Sequence, residues 1–131
     1  DIQYTAGDTI SPLEWYAFIK YSKGYVGNNM HPIVTSIANG VPFYCFDNYG
    51  IPKIDGQWTN GESSKIYHIL SAADLLKYRV FISGQDYSPT SASTVMDAIL
   101  SFDAVKEKAF AVRYYQSYSN MMIQVLNQLK K

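Results

Sequence analysis

The chain has 131 residues, 47% of them hydrophobic and 17% charged, enough for one folded domain with a real core and too apolar for a disordered tail. Eleven basic and eleven acidic side chains cancel, so no basic excess points to nucleic acid or an anionic membrane surface. A single cysteine, Cys45, excludes an internal disulfide, and no apolar run approaches the roughly 20 residues that span a bilayer.

Ser11-Pro12-Leu13-Glu14 reads as a helix start, with Ser11 and Glu14 spaced as a capping box and proline in the first turn. That helix runs to about Tyr21 with Trp15, Phe18 and Ile19 on its apolar face. Gly24 to Asn28 reads as a short strand ending in a turn. The next helix carries Met30, Ile33, Val34, Ile37 and Ala38 at helical spacing and ends at Gly40. Pro42 to Phe46 is a continuous apolar strand, of the kind buried on both faces of a parallel sheet. Residues 47–62 form a Gly/Asn/Asp/Pro-rich loop whose length suggests function.

Ser63 or Ser64 then caps a helix containing Ile66, Ile69 and Leu70, and Arg79 to Ile82 reads as a third strand. A second loop, residues 83–90, leads to a helix over about 91–101. Asp103 caps a last helix that reaches about Leu129; its plainer reading is an ordinary amphipathic helix with Val105, Ala109, Val112, Val125 and Leu129 in the core. This helix is longer than the domain needs, so part of it is expected to pack and part to be exposed, with Tyr114, Tyr115, Tyr118, Met121 and Met122 among its large side chains. The alternation of helices and strands predicts an α/β domain: three layers, Rossmann-like, with a mainly parallel sheet and a long C-terminal helix. The aromatic content of 15% and a first residue, Asp1, that is not Met suggest a domain cut from a larger protein; a processed mature chain is the other explanation of Asp1.

In open α/β sheets ligands bind beyond the carboxyl ends of the strands. That edge collects Asn29, His31, Asp47, Lys53, Ser64 and Lys65. The turn from Val26 to Ile33 matters most, because the unpaired N–H groups and dipole of a helix start favour an anion. His31 stands there, able to donate to a carboxylate or phosphate or to act as general acid; the plainer reading is a capping or hydrogen-bonded histidine. Ser64 and Lys65 make a second helix start able to take a phosphate. Lys53 and Lys65 read equally as solvated lysines. Asp47, just past a buried strand, is placed to bind a sugar hydroxyl or to cap its turn. His68 reads as structural or exposed, and Cys45 as a packed small side chain. No spacing of His and Cys forms a metal motif, and neither a P-loop nor a dinucleotide fingerprint occurs.

Gly24-Tyr25-Val26-Gly27-Asn28-Asn29-Met30-His31-Pro32, followed by Ala38-Asn39-Gly40-Val41-Pro42, resembles the signature block of the polysaccharide pyruvyl transferase family. The resemblance extends over about residues 11–70; beyond that only the general architecture matches. It implies the second half of a two-domain fold similar to GT-B glycosyltransferases, with residues 1–131 as one Rossmann-like domain and a facing N-terminal half as partner. It also implies transfer of a pyruvyl group from phosphoenolpyruvate to a sugar hydroxyl of a cell-surface polysaccharide. On that reading no cofactor is needed, the saccharide acceptor is the other partner, and His31 is the acid or the donor contact. Cytoplasmic location and homo-oligomer formation through the C-terminal helix complete these expectations. The family's Arg-x-His motif places Asn29 where the Arg stands, so the charged fork for an anion is missing: either another cation does that work, with Lys53 and Lys65 as candidates, or this member does different chemistry. A nucleotide-sugar glycosyltransferase domain, or a non-catalytic glycan- or partner-binding relative, are the alternatives.

Overall fold

The computed structural model describes residues 10–48, 61–82 and 90–129. Helix α1 (Pro12–Tyr21) starts with the expected capping box: Ser11 Oγ accepts from the Glu14 amide, and the Glu14 carboxylate accepts from the Ser11 amide at 2.8 Å. Strand β1 (Tyr25–Gly27) leads into α2 (Met30–Asn39). Gly40 ends α2 at φ 67°, a left-handed conformation that glycine adopts without steric cost. Strand β2 (Phe43–Asp47) follows, then α3 (Lys65–Ala72), a 3-10 turn (Leu76–Tyr78) that the sequence reading did not anticipate, β3 (Arg79–Phe81), α4 (Ala92–Leu100) and α5 (Ala104–Leu129).

The three strands form one parallel sheet in the order β1-β2-β3. Tyr25 pairs with Phe43 and Gly27 with Cys45 on one side of β2, and Cys45 with Arg79 and Asp47 with Phe81 on the other. The central strand is paired on both edges, and Phe43, Tyr44 and Cys45 are buried, as the apolar run predicted; Asp47 at its end is buried as well, which that run did not predict. An α/β architecture with a parallel sheet and a long C-terminal helix is therefore observed. No helix among the described residues is long and apolar enough to cross a membrane.

The core is made by Ile33 and Ile37 of α2, Phe43 and Cys45 of β2, Ile66 and Leu70 of α3, and Leu75 and Tyr78 after it. The rings of Phe43, Tyr78 and Phe102 meet at centroid distances of 5.1 to 5.8 Å. Phe43, fully buried, contributes roughly 1.5–3 kcal/mol through burial alone, and the half-buried Phe102 less. Cys45 is the packed side chain expected, and its thiol is pushed up to about 12, first by burial and then by the Asp47 charge, with Arg79 opposing.

The last helix corrects one expectation. Val105, Val112 and Leu129 are among its exposed side chains, at 82%, 52% and 78%, and Ala109 and Val125 are exposed as well. The packed side is instead Glu107, Phe110 and Ala111. The anchor just before the helix sets this phase. Phe102 is held in the ring cluster, Asp103 Oδ1 accepts from the Val105 and Lys106 amides, and Ala104 lies against Gly40, where a Cβ would meet its carbonyl oxygen at 3.0 Å. With those three positions fixed, helical geometry turns Val105 and Ala109 outward. Part of α5 packs, as expected, and part is exposed. Tyr114, Tyr115 and Tyr118 line an apolar groove of about 250 Å³ with Val34 and Ala38, and Met121 to Leu126 stand in solvent.

Candidate functional site

The carboxyl ends of β1 and β2 open on a cleft of about 560 Å³ between the first turns of α1, α2 and α3. Asn29, His31, Ser64 and Lys65 all line it, together with Trp15, Pro32, Ser63 and Ile66. Four of the six expected site residues, from two segments more than thirty positions apart in sequence, are thus brought to one place. Lys53 lies outside the described residues.

Asn29 is the residue before α2, with extended backbone, and its side chain makes no capping hydrogen bond. The Asn29 amide donates to Tyr25 Oη at 3.3 Å, which ties the end of β1 to the start of the helix. The first-turn amides of α2, which lack helical partners, are therefore left uncapped by that side chain. Pro32 is buried and supplies no amide, but it presets the helical turn. His31 is exposed, on the first turn and at the cleft.

The wall opposite is the start of α3. Ser64 is its cap: Oγ accepts from the Tyr67 amide at 2.9 Å and donates to Asp47 Oδ2 at 2.5 Å. Its hydroxyl is thus engaged on both sides, and the residue is 2% exposed. Lys65, the first residue of α3, is exposed. Among the described lining residues the cleft carries His31 and Lys65 as basic groups and no carboxylate. Two helix starts and two basic side chains facing one space favour a small anion.

Asp47 is placed differently from the expectation of a ligand contact. It is fully buried behind the cleft, where Arg79 Nε donates to its Oδ2 at 2.7 Å and Ser64 adds the second hydrogen bond. Arg79 Nη2 also donates to the Gly61 carbonyl at 3.0 Å, and the guanidinium lies over the Tyr67 and Phe81 rings at 5.3 and 5.4 Å. Gly61 sits at φ 76°, and a Cβ there would collide with the Arg79 guanidinium and the Phe81 ring. His68 is exposed, with its ring 5.9 Å from that of Tyr67.

Sequence reasoning missed Trp15 and Arg79. Trp15 reads as part of the apolar face of α1, and only the packing of that helix beside α2 shows it to be a half-buried cleft wall. Arg79 opens a strand, where an arginine ordinarily reads as solvated; the buried carboxylate at the end of the neighbouring strand was the available signal.

The family model described as polysaccharide pyruvyl transferase matches residues 3–49. Its described part contains α1, β1, α2 and β2 and hence the His31 wall of the cleft, so the resemblance read from Gly24 to Pro42 is to that family over this stretch. No curated protein and no solved structure matches the chain.

Proposed function

We propose that this chain is a pyruvyl transferase-like domain that modifies polysaccharide, moving the pyruvyl group of phosphoenolpyruvate onto sugar hydroxyls. One observation carries the reading. In the stretch that matches the family, His31 lies at a helix start and lines one cleft with Lys65 at a second helix start, with no carboxylate among the described lining residues. Phosphoenolpyruvate is a small molecule with a phosphate and a carboxylate, which suits two such corners. In the transfer, C3 of the donor takes a proton and becomes the methyl group. Two sugar oxygens bond to C2, and the bond from C2 to the phosphate oxygen breaks. One hydroxyl proton replaces the one lent to C3, and the other leaves with phosphate. His31 is the proposed lender or the phosphate contact. Asn29 supplies no charged fork, so Lys65 takes the anion's charge, with Lys53 as a second cation.

The three-layer Rossmann-like half of a GT-B-like pair belongs to the same proposal. The exposed apolar side chains of α5 support a covering partner, either a facing N-terminal half or a second copy. A cytoplasmic site of action goes with the donor, a cytoplasmic metabolite.

The test titrates phosphoenolpyruvate, and separately a nucleoside diphosphate, into the protein while following the amides of residues 29–33 and 64–66. Phosphoenolpyruvate is expected to shift both groups, with affinity falling at least about tenfold, or 1.4 kcal/mol, in His31→Ala. Binding of the nucleoside diphosphate alone would move the assignment to a nucleotide-sugar glycosyltransferase. Binding of neither donor would favour a non-catalytic relative, which Asn29 in the Arg position supports.

A further inference from the structure

Beneath the cleft lies a charged pair that the proposed chemistry does not touch. Asp47 and Arg79 are nearly inaccessible, at side-chain exposures of 0% and 8%. Burying two charges is costly, and such a pair is often replaceable by apolar side chains without loss of stability. Its location points to a role beyond stability. A carboxylate 2.5 Å from the capping hydroxyl of α3 sits directly behind the helix start that forms one wall of the cleft. A negative charge there strengthens the cap and opposes any anion on the other side of it. Arg79 cancels that charge at 2.7 Å and also holds Gly61, so the segment leading to Ser64 is fastened at both ends.

We infer that Asp47 and Arg79 are a positioning pair: Asp47 fixes the start of α3 and Lys65, while Arg79 neutralises Asp47 so that the cleft stays attractive to an anion. The inference rests on the proposed anion-binding reading of the cleft. It separates two roles that a purely structural pair would not have. Position depends on the hydrogen bonds of Asp47, and the local field depends on the sum of the two charges. Removing Arg79 leaves a net negative charge behind the anion; removing the Asp47 charge leaves a net positive one; removing both restores neutrality.

The experiment measures the affinity of the intact protein for inorganic phosphate and for phosphoenolpyruvate. It compares wild type, Asp47→Asn, Arg79→Met and the double variant at low and moderate salt, with the fold of each monitored by circular dichroism. Arg79→Met is expected to weaken phosphate binding at least about threefold at low salt, the effect of one unit charge several ångströms away in a high dielectric. Asp47→Asn strengthens binding by a similar factor, and the double variant returns close to wild type. All three differences shrink as salt rises. If Arg79→Met does not fold, the gain in Asp47→Asn and its disappearance in the double variant carry the comparison. Affinities that fall in every variant in step with lost stability, or that ignore the charge series while wild type binds, overturn this inference alone. Failure of wild type to bind either anion overturns the anion-binding reading with it.

Discussion

Glu107 is a carboxylate where α5 packs on the domain, 1% exposed, and its Oε2 has no hydrogen-bond partner among the described residues. Burial holds its pKa above the ordinary 4.5; Lys106 and Lys77 pull it down, while Asp103 and Asp74 push it up. Well below pH 4.5 the side chain is neutral in both folded and unfolded chains and contributes no pH dependence. As pH rises past 4.5, the unfolded chain releases its proton first, so stability falls until the folded-state value is also passed. Glu107→Gln keeps the shape and removes the charge. The amide of the variant is still an unsatisfied buried polar group, so only the extra cost of the charge is removed, and the variant is expected to be more stable than wild type at pH 7 by about 1 kcal/mol or more. With a urea slope of about 1–3 kcal/mol per molar, the unfolding midpoint moves up by a fraction of a molar or more. The gap should shrink as pH falls towards 4, because only the charge titrates. Urea unfolding of both proteins from pH 4 to 8 reads this directly. A gap that stays constant with pH, or a variant less stable at pH 7, would refute the burial argument.

Ser64→Ala removes a helix cap and a hydrogen bond to buried Asp47; a loss of about 2–3 kcal/mol in denaturant unfolding is expected, and a loss below about 1 kcal/mol would mean that neither bond matters. Gly61→Ala should destabilise by at least about 1–2 kcal/mol, since the left-handed backbone disfavours a Cβ and the added atom meets Arg79 and Phe81; wild-type stability would show that the segment moves freely. Native Cys45, buried with a thiol near 12, should react with a thiol reagent at pH 8 only as fast as the protein opens; rapid labelling without unfolding would contradict its packing. His31→Ala, at an exposed position, should leave the unfolding free energy within about 0.5 kcal/mol of wild type, as thermal unfolding will check.

Local sequence determined the elements and their ends. Ser11 with Glu14, Ser64, Ser91 and Asp103 cap helices in the structure, and Gly40 closes α2, because capping and left-handed turns depend on a few neighbouring residues. The buried central strand was legible from the unbroken apolar run at Phe43 to Phe46, and the position of His31 from the strand-to-turn-to-helix pattern before it. Sequence likewise identified Ser64 and Lys65 as a helix start, but not that this start faces His31. That depends on how α3 is laid beside α2 after a long connection, and no local pattern encodes it. Asp47 shows the same limit: its place at the end of β2 was readable, whereas its burial was set by Arg79 arriving from β3 on the adjacent edge. The phase of α5 was also decided in three dimensions. Its apolar side chains occupy more than one face, so periodicity alone left the packed side open. The lodging of Phe102 against Phe43 and Tyr78, and of Ala104 against Gly40, selected Glu107, Phe110 and Ala111.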